Sequence, residues 1–107
     1  MVRTITQLAQ GLNAIYPTRY SHFESKQKAP FICYLDDGST NLMADNIVIE
    51  ESTAVRIELY TSEKDLEAER EIKQFLTNNE IPYEQDSTLF IESENLFLCV
   101  FNINLIN

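Results

Sequence analysis

Residues 47–60 read Ile-Val-Ile-Glu-Glu-Ser-Thr-Ala-Val-Arg-Ile-Glu-Leu-Tyr, a pattern typical of a β-strand. Its second half alternates as a half-buried strand does, with Val55, Ile57 and Leu59 inward and Arg56 and Glu58 outward. A continuous strand over the whole stretch would run about 46 Å at ~3.3 Å per residue, far beyond the usual strand length. We therefore expect part of it to project from the body of the protein.

The partner of this strand is expected to be the dense apolar run Phe31 to Leu35, which stops at Asp36-Asp37-Gly38, a strong turn signal. We expect Phe31 to Leu35 to pair antiparallel with about Val55 to Tyr60. Residues 36–53 then form a long hairpin, called the arm below. Apolar side chains near its tip would be unfavourable in contact with water. They therefore either pack against one another within the tip or contact a neighbouring chain. The candidate subunit-contact residues are Asp36, Asp37, Asn41, Leu42, Met43 and Asp45.

A first helix is expected to begin near Thr4, because Thr4-Ile5-Thr6-Gln7 has the form of a capping box. Pro17 ends this element, and before it apolar residues recur at helical spacing on one face: Ile5, Leu8, Leu12 and Ile15. Gly11 weakens such a helix by about 1 kcal/mol relative to alanine, which suggests that something packs closely against it.

A second helix is expected after the long strand. Ser62-Glu63-Lys64-Asp65 supplies a cap, with acidic residues in the first turn, where the helix dipole favours them. Asn78-Asn79 and Pro82 close the helix, and its apolar residues form one stripe: Ala68, Ile72, Phe75 and Leu76.

A last hairpin is predicted from Thr88 to Ile91, through a turn at 92–95, into a strand from Leu96 to about Ile106. Leu96 through Phe101 is apolar at every position, so both faces of this strand need cover. The two helices either lie on opposite faces of the sheet, or share one face and leave the other to a partner subunit.

Together these elements predict an α+β fold in a single domain, residues 1–107. It consists of a mostly antiparallel sheet of four to five strands with two helices, in the order α-β-β-β-α-β-β, and the projecting arm. At 44% hydrophobic and 23% charged residues, the chain has the composition of a globular protein. Because it has neither a bilayer-length apolar run nor the apolar core of a signal peptide, we expect it to stay where it is made.

The net charge of −9 is unevenly distributed. Residues 1–35 carry four basic residues against one acidic one, a net charge of +3, whereas residues 36–107 carry four against sixteen, a net charge of −12. An acidic surface repels phosphate, which disfavours duplex binding and anionic membranes. The acidity serves either solubility alone or recognition of a partner.

Candidate catalytic and metal-binding groups are few. The sequence contains no phosphate-binding loop, nucleophile elbow, paired CxxC or zinc-protease helix motif. Cys33 and Cys99 lie in apolar runs and are expected to be core residues, and the single histidine, His22, is expected at the surface. We therefore expect no enzyme activity, no metal and no cofactor, and a function in binding other proteins.

Several stretches resemble the small minor-capsid or tail-completion proteins of prophages in low-GC Gram-positive bacteria, which are related to the tail terminators of long-tailed phages. The resemblance spans most of the chain: Ile5-Thr6-Gln7-Leu8, Pro30 to Tyr34 with Leu35-Asp36-Asp37-Gly38-Ser39, Asn41-Leu42-Met43-Ala44-Asp45-Asn46, Ile57-Glu58-Leu59-Tyr60-Thr61, Asn79-Glu80-Ile81-Pro82-Tyr83-Glu84 and Phe90-Ile91-Glu92-Ser93-Glu94. These are fold and assembly motifs rather than catalytic ones.

The resemblance implies a non-enzymatic ring of the virion neck, with six copies the expected number, that joins the tail-tube protein to the head connector. It implies assembly in the bacterial cytoplasm, incorporation into the neck or tail of the virion, and passage of DNA through the ring without specific binding. The same charge pattern also allows another hypothesis, a small acidic regulatory or inhibitory protein that mimics DNA and binds a basic host protein.

Overall fold

The computed structural model of the chain describes residues 2–44 and 47–106, with side chains for 2–36 and 52–105. Eight elements follow one another in the order α-β-β-β-α-β-β-β. They are α1 (Ile5–Asn13), β1 (Thr18–Tyr20), β2 (Phe31–Ala44), β3 (Ile47–Thr61), α2 (Leu66–Asn78), β4 (Tyr83–Gln85), β5 (Leu89–Ile91) and β6 (Leu96–Ile106). The α+β class with two helices is as predicted.

The sheet differs from the prediction in its size and its pairing. It has six strands rather than four to five, in the order β1-β2-β3-β6-β4, with β5 also paired to β6. The sheet is mixed, because β1 runs parallel to β2 while the other described pairs are antiparallel. The sequence did not predict β4, because a strand of three residues carries too little periodicity to be recognised.

The central hairpin has the predicted register. Phe31 pairs with Tyr60 and Leu35 with Arg56, so Phe31 to Leu35 is antiparallel to residues 56–60. The turn predicted at Asp36-Asp37-Gly38 is wrong, because β2 continues through it to Ala44. Asp36 pairs with Val55 and Gly38 with Ala54, which leaves Asp37 as the extra residue of a β-bulge. A glycine beside a short polar residue suits a bulge as well as a turn, so local sequence does not separate the two.

Both helices begin with side-chain caps. The capping box of α1 is confirmed: Thr4 Oγ1 accepts from the Gln7 amide at 3.1 Å, and Gln7 Oε1 accepts from the Thr4 amide at 3.3 Å. In α2 the N-cap is Asp65, whose Oδ1 accepts from the Ala68 amide at 3.0 Å, at the end of the predicted 62–65 cap segment.

Both helices pack on one face of the sheet, which was one of the two predicted placements; that a partner subunit covers the other face stays a prediction. Leu8 and Leu12 of α1, and Ala68, Ile72 and Leu76 of α2, join one buried cluster with alternate strand residues. Those strand residues are Ile32, Val55, Ile57, Leu59, Cys99, Phe101, Ile103 and Leu105. Because successive strand residues point to opposite faces, the intervening residues lie on the side without helices.

Within the described part of the chain, no helix has the length and apolar character needed to cross a membrane.

Candidate assembly surface

The sheet face without helices is called the outer face. Residues that lie opposite one another on β2, β3 and β6 point to the same side of the sheet, so the outer face consists of rows of three residues across these strands. The first row, Phe31, Tyr60 and Leu98, is apolar and aromatic, and the second holds Cys33, Glu58 and Val100. The third row, Leu35, Arg56 and Asn102, is more polar. The outer face therefore changes from apolar near the start of β2 to polar toward the arm.

Glu58 is a charged residue buried within the outer face, 7% exposed between Cys33 and Val100. Its Oε1 accepts a hydrogen bond from the Tyr60 hydroxyl at 3.0 Å. Its Oε2 lies 3.0 Å from Arg56 Nε in an ion pair, although that N–H is not aligned for a hydrogen bond. Burial of a carboxylate without partners is unfavourable in free energy. The contacts with Tyr60 and Arg56 offset part of that cost for Glu58.

The pKa values of two groups beside Glu58, the Cys33 thiol and the Tyr60 hydroxyl, are raised. Burial, and then the charge of Glu58, raise the pKa of the Cys33 thiol to about 11. The same two causes, with the hydrogen bond to Glu58, raise the pKa of Tyr60. Both groups are therefore protonated at neutral pH, and Cys33 is a weak nucleophile there. This environment does not suit thiolate catalysis.

An open groove lies at the apolar end of the outer face, with a volume of about 910 Å³. One wall is the segment 21–29 between β1 and β2, the other is the β5–β6 turn, and the floor includes Phe31, Cys33 and Tyr60. The floor is aromatic: Phe31 stacks on Tyr60 at 4.9 Å between ring centroids, and Phe23 meets Phe31 edge-on at 5.4 Å.

The two walls of the groove differ in charge. Lys26 and Lys28 are exposed on the first wall together with Glu24, and Glu94 lies on the second. His22 also lines the groove, exposed as predicted, with Nδ1 3.2 Å from Ser21 Oγ. Sequence analysis missed this groove, although its signal was present in the basic excess of the first 35 residues.

The outer part of the arm is a two-stranded extension of the sheet. β1 pairs with β2 only at residues 32–34, and β6 pairs with β3 as far as Ser52. In the described pairings, residues 41–44 therefore pair only with residues 47–51, and the latter have no partner in β6. The register shifts again between Leu42, opposite Glu50, and Met43, opposite Val48.

Three of the six predicted contact residues, Asn41, Leu42 and Met43, lie in this extension. Asp36 is exposed in β2. The backbone of Asp37, Asn41, Leu42 and Met43 belongs to the same strand, while their side chains lie outside the described residues, and so does all of Asp45. The structure thus brings five of the six positions onto one strand of the arm, without describing side-chain contacts at its tip.

The outer edge of β1 is blocked for further strand pairing. The Thr18 amide donates to Asn13 Oδ1 at 2.9 Å, and the Tyr20 carbonyl accepts from the His22 amide at 2.7 Å. Two of the backbone groups that a new strand would need are thus already used, which is a common protection of edge strands.

A second polar cluster ties α2 to the β4 edge. Glu69 is 4% exposed, with Oε2 2.7 Å from Lys64 Nζ and Oε1 accepting from Gln85 Nε2 at 2.9 Å. Lys64 also donates to Thr88 Oγ1 at 2.8 Å, and Gln85 Nε2 lies 3.2 Å from Cys99 Sγ. Each of these side chains contacts another side chain of the cluster, so the cluster links α2 to the neighbouring strands.

Among the described residues, no three His, Cys, Asp or Glu side chains come together in a way that would hold a metal ion.

Neither a family model nor a curated protein matches the sequence. The function proposed below therefore rests on the chain's own surfaces and on the resemblance described above.

Proposed function

We propose that this chain is a structural virion-assembly protein of the tail-terminator or tail-completion type, which forms a ring at the head–tail junction of a phage or prophage. The observation that carries the proposal is the arm, in which residues 41–44 and 47–51 extend beyond the rest of the sheet. A two-stranded hairpin is marginally stable by itself in water, so the arm gains stability from a partner surface. Neighbouring copies in a ring supply one.

A ring also needs two different surfaces on each copy, because its interfaces are head-to-tail. The arm is one such surface. The outer face, left without helices, is a candidate for the other, and the opposite charges of residues 1–35 and 36–107 favour contact between unlike surfaces. These features support the proposal that copies of the chain bind one another.

In this proposal the chain is not an enzyme and uses no cofactor. Its partners are further copies of itself, six in the ring that the resemblance implies, together with the tail-tube protein and the head connector. The net charge of −9 keeps DNA from adhering while it passes through the ring.

The experiment that tests this function alters the arm alone. Leu42→Ser with Met43→Ser is introduced into the phage that encodes the chain, and Leu66→Ser, at a position 66% exposed on α2, is the matched control. We expect the arm variant to fold normally but to leave tails that do not join heads, as seen by electron microscopy, whereas the control assembles.

Normal particles from the arm variant would contradict the proposal. Wild-type protein that captures a basic nuclease from host lysate, with virion assembly unaffected by deletion of the chain, would favour the DNA-mimic hypothesis instead.

A further inference from the structure

We propose that the groove between segment 21–29 and the β5–β6 turn receives the arm tip of a second copy. This inference rests on the proposed function for its ring, and it names the two surfaces that meet in that ring. The occupant is the same chain, bound head-to-tail.

The positions of the groove and the arm tip exclude binding within one copy. Phe31 and Tyr60, in the groove floor, pair at the start of the β2–β3 hairpin, whereas Ala44 and Ile47 pair at its far end. The thirteen steps from Phe31 to Ala44 correspond to about 40 Å of strand. The molecule is accordingly elongated, 50 Å against 26 and 25 Å in the other directions. A paired hairpin cannot bend its tip back over that distance, so a tip that enters a groove enters another copy's.

The groove suits the chemistry of the tip. Its floor presents the rings of Phe31 and Tyr60, with Leu96 at the second wall. The tip sequence Asn41-Leu42-Met43-Ala44 offers two large apolar side chains, one of them a methionine, which adapts to irregular apolar surfaces. Contact between apolar side chains of the tip and this aromatic floor would be favoured by the hydrophobic effect.

Charge favours the same pairing. The arm, residues 36–53, carries five carboxylates and no basic residue. Segment 19–29 carries Arg19, Lys26 and Lys28 against Glu24, and Arg19 is paired in register with Cys33 of the groove floor. Glu94 on the opposite wall reduces this attraction, so the arm is expected to lie toward the lysine wall. Two arms, both acidic, would repel each other, which opposes a symmetric arm-to-arm dimer.

Disulfide cross-linking between two different variants tests the contact. Full-length protein with Met43→Cys is mixed with protein carrying Lys28→Cys under mild oxidation, in solution and on tail tubes from the same phage. The native thiols are 3% exposed and should stay unreactive. Ser87→Cys, at an exposed position between β4 and β5, replaces Lys28→Cys in the control mixture.

We expect a cross-linked dimer from Met43→Cys with Lys28→Cys and at least about tenfold less from the control mixture. Lys26→Glu, added to the Lys28→Cys variant, should lower the yield by about tenfold, and Glu50→Lys with Glu51→Lys on the arm should restore it, as expected for interfacial ion pairs.

Equal yields from both mixtures, or no cross-link in solution and on tubes, would overturn the groove contact. Rings that form on tubes without this cross-link would leave the proposed function standing while refuting the inference. A specific cross-link in a protein that phage assembly does not require would refute the function while the contact stands.

Discussion

The ring of Phe75 in α2 occupies the place where a side chain on Gly11 of α1 would begin. A Cβ at Gly11 would lie 2.4 Å from Phe75 Cζ and 2.5 Å from Cε1. The close packing that the sequence suggested at this glycine is therefore confirmed, and its cause is the crossing of the two helices on one face of the sheet.

Gly11→Ala should destabilise the protein despite the better helix propensity of alanine. The gain of about 1 kcal/mol in propensity is opposed by overpacking, which costs roughly 1–3 kcal/mol, so we expect a net loss of about 1 kcal/mol in urea unfolding. In a Phe75→Leu background the same change should become neutral or stabilising. A stabilising effect in the wild-type background would show that the ring moves aside freely.

The buried Glu58 predicts a cost for removing its hydrogen-bond donor. Tyr60→Phe removes the hydroxyl that donates to Oε1 and should reduce the free energy of unfolding by about 1–2 kcal/mol. Tyr20→Phe, at a tyrosine 53% exposed, is the matched control and should change stability by less than about 0.5 kcal/mol. Equal effects of the two substitutions would mean that the Tyr60–Glu58 bond contributes nothing measurable.

Features that depend on short sequence patterns were predictable. The Thr4–Gln7 capping box is one example, and the antiparallel pairing of the two strand patterns that contain Phe31 and Tyr60 is another. Glu58 was predicted to face away from the core and does so, yet it is buried, because Cys33 and Val100 on the neighbouring strands flank it. Its burial depends on residues 25 and 42 positions away in sequence, which alternation within β3 cannot reveal. The groove escaped prediction for the same reason, since its walls come from segments about 70 residues apart.

Cys33 predicts a characteristic dependence on pH. Its pKa is raised from 9.0 to about 11, so the folded state holds its proton more tightly than the unfolded state. The stability associated with this group is fully present below pH 9 and is lost as the pH rises toward 11. We expect urea midpoints to fall over this window, and to fall less in Cys33→Ala.

Thiol modification provides an independent check on Cys33. The native protein should react slowly with Ellman's reagent at pH 8, because both thiols are buried and burial raises the pKa of each, and both cysteines should react on unfolding. Rapid modification of the native protein at pH 8 would contradict the burial of Cys33.

We propose that the chain assembles with copies of itself through the arm. The mass of the particles formed by the purified chain tests this directly, by mass photometry of the chain alone and with phage tail tubes. We expect a ring of several copies bound at tube ends, which is absent when Leu42 and Met43 are both replaced by serine. Tubes that bind no copies, or bind the arm variant equally well, would contradict it.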